Sequence, residues 1–337
     1  MAEVSIGSLI LDSNKTLHDV TLAYERVGKK DAPAILVCHA LTGDQYAVGT
    51  IENPGWWSGL IGPGKAIDTD IFQVITFNIL GGCNGSTGPI SVNPETGTPY
   101  RAAFPDLTIR DMVRAEFKAL QKLGIPHLTA VLGGSLGGMK TLEWGHLYPD
   151  FVDGIFPLAV TPAYSDFGIA FNHIGIKAIE YDDGFNEGNY AESAELKGLQ
   201  LARMTGMVTY RSGGMFNGRF KRRRDSTQFD VESYLTYQGE KLAKRFDANS
   251  YVTLLKAMNT HDVRSEKIKV PIYSLSFTHD LLYPSEGMIP WLQQQPNASW
   301  EIVETEFGHD GFLVEFEKWG RLIVEKLNQL SITQPMH

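Results

Sequence analysis

Apolar and polar residues alternate along residues 4–11 and 20–27, and this period of two predicts strands with one buried face. Asp12 to Asn14 lie between them, so we expect an antiparallel pair at the start of a sheet. Short, mainly apolar runs follow, as is typical of strands covered on both faces. These runs span residues 34–38, 72–77, 128–132, 154–160, 272–277 and 300–304.

Helical periodicity appears between and after these runs. Apolar side chains recur at helical spacing from Ile109 to Leu123, after Thr108 as a candidate N-cap and before Gly124. We also predict helices over Leu136 to His146 and over Phe312 to Leu327. Strands that alternate with helices predict an α/β protein, with a mostly parallel eight-stranded sheet flanked by helices.

The strand pattern is interrupted between Asp166 and Ser265. This stretch is rich in Gly, Asn, Arg and charged residues. We interpret it as a helical lid, residues 166–265, inserted into a core domain of residues 1–165 and 266–337. Its predicted helical pieces are Ala191 to Thr209, Val231 to Phe246 and Ser250 to Met258.

Composition narrows the class of protein. The 337 residues carry a net charge of −9, which does not favour nucleic acids or anionic membranes as partners. The two cysteines, Cys38 and Cys83, form no CxxC pair, so we expect buried thiols and no metal site. No apolar run approaches the roughly 18 residues of a membrane span, and we see no signal peptide. We therefore expect a cytoplasmic protein without a bound cofactor.

The segment Gly133 to Gly137 (GGSLG) fits the G-x-S-x-G pattern of a nucleophile elbow. It follows a predicted strand and precedes a predicted helix, which is the context that the α/β-hydrolase fold requires. Bulky side chains do not fit beside so tight a turn, and its central residue takes strained backbone angles. We predict Ser135 as the nucleophile. The alternative is a phosphate-binding turn, although neither a Walker lysine nor GxGxxG is present.

A serine hydroxyl needs a base, and the base needs an orienting acid. His309 follows the last predicted strand, and Asp280 follows the strand before it, in the order Ser, acid, His. We predict His309 as base and Asp280 as acid. His279 is then a neighbour of the acid, and we interpret His39 as a packing or hydrogen-bonding residue.

An oxyanion hole needs two backbone donors. The N–H of Leu136 follows the nucleophile directly. The second N–H is expected from the loop after the strand 34–38, and Leu41 is our choice there by position.

Several segments carry residues that a generic esterase does not need. They are His39 to Gly43, Asn78 to Pro89, Phe104 to Met112, Gly133 to Trp144 and Gly308 to Phe312. In this order, and over essentially the whole chain, they resemble the homoserine O-acetyltransferase family of methionine biosynthesis.

That resemblance implies a ping-pong reaction in which acetyl-CoA acylates Ser135, CoA leaves, and the hydroxyl of L-homoserine takes the acetyl group. It also implies a homodimer and a tunnel that leads to the serine. Asp310 matches the acidic residue that binds the homoserine amino group, and Arg203 matches the arginine that binds its carboxylate. Arg211 is a rival for the carboxylate, because either guanidinium suits a bidentate grip.

Other interpretations stay open at this stage. Sister families share these motifs but use succinyl-CoA instead of acetyl-CoA as the acyl donor, or serine instead of homoserine as the acceptor. A serine hydrolase, in which water takes the acyl group, is a further alternative. The basic run Lys221 to Arg224 is either a solvated loop or a site that attracts the phosphates of CoA.

Overall fold

A computed structural model describes residues 1–191 and 194–332 of the chain. Within that part, eight strands form one sheet and two short strands form a separate pair. The strands are β1 (Ala2–Ile10), β2 (Thr16–Val27), β3 (Ala34–Cys38), β4 (Ile61–Gly62), β5 (Ile67–Asp68), β6 (Gln73–Phe77), β7 (Ala130–Gly134), β8 (Ile155–Leu158), β9 (Ile272–Phe277) and β10 (Ala298–Val303).

The large sheet has the order β1-β2-β6-β3-β7-β8-β9-β10. β1 is antiparallel to β2, and β2 is antiparallel to β6, whereas the remaining neighbours are parallel. The predicted eight-stranded, mostly parallel sheet is therefore confirmed, including its antiparallel start.

Helices cover both faces of this sheet. The α-helices of the described residues are α1 (Ile109–Lys122), α2 (Leu136–Leu147), α3 (Asp166–Glu180), α4 (Lys197–Thr209), α5 (Gly213–Phe220), α6 (Asp230–Ala243), α7 (Ala248–Asn259), α8 (Ser285–Leu292) and α9 (Phe316–Ile332). Alternate residues of β3 belong to different cores, since Leu36 packs in the cluster that contains Met112 and Ile35 in the one that contains Trp319. Burial on both faces explains why β3, β7 and β8 contain no charged or strongly polar residue.

The capping prediction for α1 is also confirmed. The Thr108 side chain accepts a hydrogen bond from the N–H of Asp111, and the Asp111 carboxylate accepts one from the N–H of Thr108. This reciprocal pair is a capping box, and it fixes the start of the helix.

Several element boundaries differ from the prediction. The last helix was expected from Phe312, but residues 308–313 form a 3-10 helix and α9 begins at Phe316. Val314 is extended and Glu315 has a φ of 51°, so a continuous helix is broken there. The strand predicted over 128–132 is shifted, because β7 continues to Gly134, directly before the candidate nucleophile.

Helices α3 to α7 fill the chain between β8 and β9, in the stretch interpreted as a lid. The predicted pieces over 231–246 and 250–258 correspond to α6 and α7. The piece predicted over 191–209 corresponds to α4 from Lys197, and its residues 192 and 193 lie outside the described residues. The division into a core and a lid stays a prediction. Residues 333–337, assigned to the core, also lie outside the described residues.

Helices α3, α5 and α8 were not predicted. In α3, Gly168 and Gly175 weaken the local helical signal, and the helix packs against α4 and α7. No helix of the described residues is long and apolar enough to cross a membrane.

The prediction of two buried thiols is correct for one cysteine. Cys38 is buried at the end of β3, but Cys83 is only half-buried. Cys83 lies in a loop at the edge of a cavity, where its sulfur accepts a hydrogen bond from the N–H of Asp247 at 3.4 Å. Burial of its inner side raises the pKa of this thiol to about 11, so Cys83 is a neutral thiol at neutral pH.

Candidate active site

The predicted site residues follow strands whose carboxyl ends meet at one edge of the sheet. Ser135 follows β7, Asp280 lies in the loop after β9, and His309 follows β10. Leu41 lies in the loop after β3, which pairs with β7. Parallel neighbouring strands bring these loops together, which explains why residues far apart in sequence share one site.

The turn at Ser135 has the strained geometry expected of a nucleophile elbow. Ser135 has φ 59° and ψ −125°, a conformation that a non-glycine residue rarely adopts. A Cβ atom at Gly137 would lie 2.1 Å from the Cys38 carbonyl oxygen, and one at Gly134 would lie 2.3 Å from the Phe312 ring. The glycines are therefore required by close backbone and ring contacts on both sides of the serine.

Asp280 holds His309 in one orientation. Its Oδ2 lies 2.7 Å from Nδ1 of His309, and both side chains are buried. Its Oδ1 accepts hydrogen bonds from the N–H groups of Leu282 and Tyr283, each at 2.9 Å. Asp280 thus also forms an Asx turn, which fixes the position of its carboxylate. With its proton on Nδ1, the imidazole keeps Nε2 free to accept a proton.

The two predicted oxyanion donors lie beside the serine. Leu136 is the first residue of α2, and Leu41 lines the same cavity as Ser135 and His309. Among the hydrogen bonds of the described residues, neither backbone N–H has an acceptor. Both groups are therefore available to an oxygen atom that develops negative charge.

His39 stabilises the loop that carries Leu41, which agrees with its interpretation as a hydrogen-bonding residue. Its Nε2 accepts from the N–H of Ile79 at 3.0 Å, so Nδ1 donates to the carbonyl of Ala40 at 2.7 Å. Burial lowers the pKa of His39 to about 3. The ring is therefore neutral and acts as a structural link between two loops.

A cavity of about 300 Å³ lies above Ser135. One side is formed by the loop after β3 and by residues 309–314, and the other by α3, α4 and α7. Helices of the stretch interpreted as a lid therefore form part of the cavity wall around Ser135, so the space beside this serine is confined.

The structure distinguishes the three charged residues that were predicted to bind substrate. Arg203, Arg211 and Asp310 all line the cavity. Arg211 Nε lies 2.9 Å from Asp310 Oδ2, so the two side chains form an ion pair. Arg203 lies over the ring of Tyr210, 5.7 Å from its centroid, and its buried Nε has no hydrogen-bond partner. Of these two arginines, Arg203 is therefore the one whose buried Nε has no acceptor among the described residues.

A group of tyrosines around the site was missed by the sequence analysis. The ring of Tyr283 stacks on His309, with centroids 5.0 Å apart, and on Tyr164 at 5.5 Å. The ring of Tyr210 is also close, with its centroid 5.9 Å from that of His309. Tyrosines scattered along a chain give no local signal of this kind, but Tyr283 lies only three residues after the predicted acid.

A buried ion pair beneath the elbow was also missed. Lys140 on α2 is completely buried, and its ammonium group contacts the carboxylate of Glu116 on α1. The other oxygen of Glu116 accepts from the indole N–H of Trp144 at 3.0 Å. A lysine in the otherwise apolar and glycine-rich start of α2 is the signal that could have found this pair.

The basic run Lys221 to Arg224 is exposed and does not line the cavity. Arg223 pairs with Asp230, and Arg222 and Arg224 both lie over the ring of Phe229. These contacts agree with a loop folded on itself at the surface.

The family model described as alpha/beta hydrolase fold matches residues 33–316. With the elbow, the acid–base pair and the sheet order, this match defines a protein of the α/β-hydrolase class.

Individual relatives narrow the class further. A homoserine O-acetyltransferase of Carboxydothermus hydrogenoformans is 38% identical, over 98% of this chain and 95% of that protein. The structure of a homoserine O-acetyltransferase from Bacillus anthracis has a TM-score of 0.90 and 28% identity, with 97% of each chain covered. Esterase E22 has the same TM-score of 0.90 at 26% identity, with 97% of this chain and 99% of that one covered. The chain belongs to the homoserine O-acetyltransferase family.

Proposed function

We propose that the chain transfers the acetyl group of acetyl-CoA to the hydroxyl of L-homoserine, forming O-acetyl-L-homoserine and CoA in methionine biosynthesis. The observation that carries this proposal is the 38% identity to a homoserine O-acetyltransferase over nearly the whole of both chains. The confined cavity and its charged side chains supply independent support.

In the first half of the proposed reaction, Ser135 Oγ attacks the thioester carbonyl while its proton moves to Nε2 of His309. The oxyanion that forms accepts hydrogen bonds from the N–H groups of Leu41 and Leu136. When this intermediate collapses, the carbon–sulfur bond breaks and the CoA thiolate takes the proton from His309. Asp280 stabilises the imidazolium throughout, at the 2.7 Å distance seen in the structure.

In the second half, the homoserine hydroxyl gives its proton to His309 and attacks the acetyl-serine carbonyl. The same two N–H groups stabilise the second oxyanion. The bond to Ser135 Oγ then breaks, and the serine regains its proton from His309. One base thus serves both half-reactions in a ping-pong scheme.

We assign recognition of homoserine, the acyl acceptor, to Arg203 and Asp310 in the cavity. Arg203 has a free donor and suits the homoserine carboxylate. Asp310 follows the base directly and suits the ammonium group. Its Oδ2 is held by Arg211, and its Oδ1 has no partner among the hydrogen bonds of the described residues. We assign Arg211 to orienting Asp310 and not to the substrate carboxylate.

An esterase activity is the second candidate function. The similarity to esterase E22 favours it, because the fold alone does not separate the two activities. An amino-acid acceptor needs a charge of each sign beside the base, which Arg203 and Asp310 provide. The experiment that separates the transferase from the esterase also tests succinyl-CoA as the donor and serine as the acceptor.

A homodimer is also proposed. Large apolar side chains are exposed on α3, α4 and α6, and α4 packs against both of the others. They are Phe167, Ile174, Leu201, Val208 and Tyr237. Apolar surface on neighbouring helices is typical of a contact with a second copy. Light scattering after size exclusion is expected to give twice the chain mass, and Leu201→Glu is expected to give the monomer.

The test is a grid of two donors and three acceptors. Acetyl-CoA or succinyl-CoA is mixed with homoserine, serine or water alone, and both free thiol and the acylated product are measured. Acetyl-CoA alone is expected to release one equivalent of thiol per protein, and continued release, with formation of O-acetylhomoserine, is expected only when homoserine is also present. Thiol release at the same rate without any amino acid would support the esterase instead. Ser135→Ala is the control and is expected to be inactive.

A further inference from the structure

A second groove lies next to the reaction cavity, on the outer side of the loop after β3. It has a volume of about 780 Å³. Thr42 lines both the reaction cavity and this groove, so the two spaces meet at that residue. Arg245 is fixed at the same junction, because its Nη2 donates a hydrogen bond to the Thr42 carbonyl at 3.0 Å.

The wall opposite this loop is basic. Lys241, in the last turn of α6, and Arg245, one helical turn further on, both line the groove. Neither forms an ion pair within the described part of the chain. The pKa of Arg245 is lowered by burial and then by the positive charge of Arg203, so positive charge extends from the reaction cavity into the groove. One carboxylate, Asp44, lines the groove as well, against these two cations.

The wall formed by the loop carries two aromatic side chains. Tyr46 is 40% exposed, and the Trp56 indole is held by a hydrogen bond from its N–H to the Asp44 carbonyl at 3.0 Å. Asp44 also accepts from the N–H of Tyr46, which keeps its carboxylate occupied within the loop. Flat aromatic rings beside basic side chains suit a nucleotide, which offers a base to stack and phosphates to pair.

We propose that this groove binds the nucleotide end of the acyl-CoA donor, its adenine ring and phosphates. The inference rests on the proposed function. With the thioester at Ser135, the pantetheine arm passes Thr42, and the phosphates lie between Lys241 and Arg245. The adenine ring then lies against Tyr46 or Trp56.

Two other basic regions are less suitable for binding the nucleotide of the acyl-CoA donor. A neighbouring cavity is lined by Arg101, Lys244 and Arg245, but it shares no lining residue with the reaction cavity. Arg101 there is already bound to the Tyr190 carbonyl. The run from Lys221 to Arg224 lines neither space, and Arg223 is already paired.

The experiment compares acetyl-CoA with S-acetylpantetheine, which has the same reactive thioester but lacks the nucleotide. For Lys241→Gln we expect the KM for acetyl-CoA to rise about fivefold, as for one exposed charge pair. In the double variant Lys241→Gln, Arg245→Gln, the KM for acetyl-CoA is expected to rise further. The KM for S-acetylpantetheine and kcat with that donor should stay at the values of the native protein, which also shows that the variants fold.

The matched controls are Lys244→Gln and Arg222→Gln, which remove basic side chains of the two rejected places. Both are expected to keep the native KM for acetyl-CoA, and Lys241→Arg should restore it. The proposal is overturned if the double variant keeps the native KM, if it weakens both donors equally, or if Arg222→Gln has the larger effect.

A binding measurement separates this inference from the proposed function. Adenosine 3′,5′-bisphosphate is titrated by calorimetry into the native protein and the double variant. We expect binding to the native protein that is weakened at least fivefold by the double substitution. If neither donor were turned over, the proposed function would fail, and this titration would still decide the groove: equal binding to both proteins, or none to either, would overturn it.

Discussion

Nε of Arg211 lies 2.9 Å from the Oδ2 oxygen of Asp310, the carboxylate that follows the predicted base in the chain. The two residues are 99 positions apart in the sequence, and both line the cavity. The ion pair occupies Nε of Arg211, whereas the buried Nε of Arg203 has no hydrogen-bond partner. One arginine thus has an internal structural partner, and the other is available to a ligand.

This difference predicts different kinetic effects for the two arginines. Arg203→Gln should raise the KM for homoserine by at least tenfold, since a hydrogen bond to a charged group is worth about 1.5–3 kcal/mol. Enzyme acylation by acetyl-CoA, followed as a burst of thiol, should be unchanged.

Arg211→Gln should lower kcat as well as raise that KM, because Asp310 then loses its orientation. Arg211→Lys is the matched control and should recover part of the activity. The assignment is wrong if Arg211→Gln changes the KM for homoserine and Arg203→Gln does not.

Tyr283 is expected to position the imidazole ring of His309. Its ring stacks on His309, and its backbone N–H donates to Asp280. Burial raises the pKa of Tyr283 well above its usual value, and the nearby Ser135 side chain opposes that rise. The hydroxyl is nevertheless without a well-formed hydrogen bond.

Tyr283→Phe keeps the ring and the backbone contact and removes only the hydroxyl beside Ser135. We expect kcat to fall about fivefold, because the unpaired hydroxyl is free to donate one neutral hydrogen bond, worth about 1 kcal/mol, to the reacting group, and we expect little loss of stability. Tyr283→Leu, which also removes the stacking, should be both slower and less stable. Native kcat in Tyr283→Phe would show that the hydroxyl plays no part.

The buried pair of Lys140 and Glu116 supports the elbow from below. Lys140→Met leaves the Glu116 carboxylate buried without its partner, which typically reduces stability by about 3–5 kcal/mol. Urea unfolding measures this change. Adding Glu116→Gln should recover a large part of the loss, because the uncompensated charge is then removed. A single variant as stable as the native protein would contradict the role of this pair.

Glu143 predicts a pH dependence of stability. Burial raises its pKa to about 7 although Arg110 opposes the rise, whereas the unfolded chain has the ordinary value of 4.5. Between these values the folded state holds a proton that the unfolded state has released. The proton on Glu143 therefore contributes fully to the free energy of unfolding below pH 4.5. This contribution is lost as the pH rises to 7, which lowers the free energy of unfolding by at most about 3 kcal/mol.

Glu143→Gln cannot lose that proton, so its unfolding free energy should increase relative to the native protein as pH rises from 4.5 to 7.5. Glu180→Gln, at an exposed glutamate, is the control and should follow the native curve. A constant difference between Glu143→Gln and the native protein over this range would refute the assignment.

The order of the elements and the acid–base pair could be predicted because each depends on local sequence. Continuous apolar runs predicted the strands, and the ends of those strands predicted where Asp280 and His309 lie. The elbow could be predicted because G-x-S-x-G is a short local motif that directly follows an apolar run. These constraints act within a few residues of the feature they define.

Features that depend on contacts between distant parts of the chain could not be predicted. The pair Arg211–Asp310 joins the segment between α4 and α5 to the residues after β10, and Lys140–Glu116 joins two helices. Helix α3 contains two glycines, and its formation depends on packing against α4 and α7. The break before α9 arises from the left-handed conformation of Glu315, a residue type that does not signal it.

The most direct test of the account follows the acetyl group on the protein itself. The protein is mixed with one equivalent of acetyl-CoA, quenched rapidly and digested, and the peptides are measured by mass spectrometry with and without homoserine. We predict one acetyl group on the peptide that contains Ser135, which persists in water and disappears when homoserine is added, with an equal amount of O-acetylhomoserine formed. Acetyl on another residue, or an acetyl-serine that water removes as fast as homoserine does, would contradict the account.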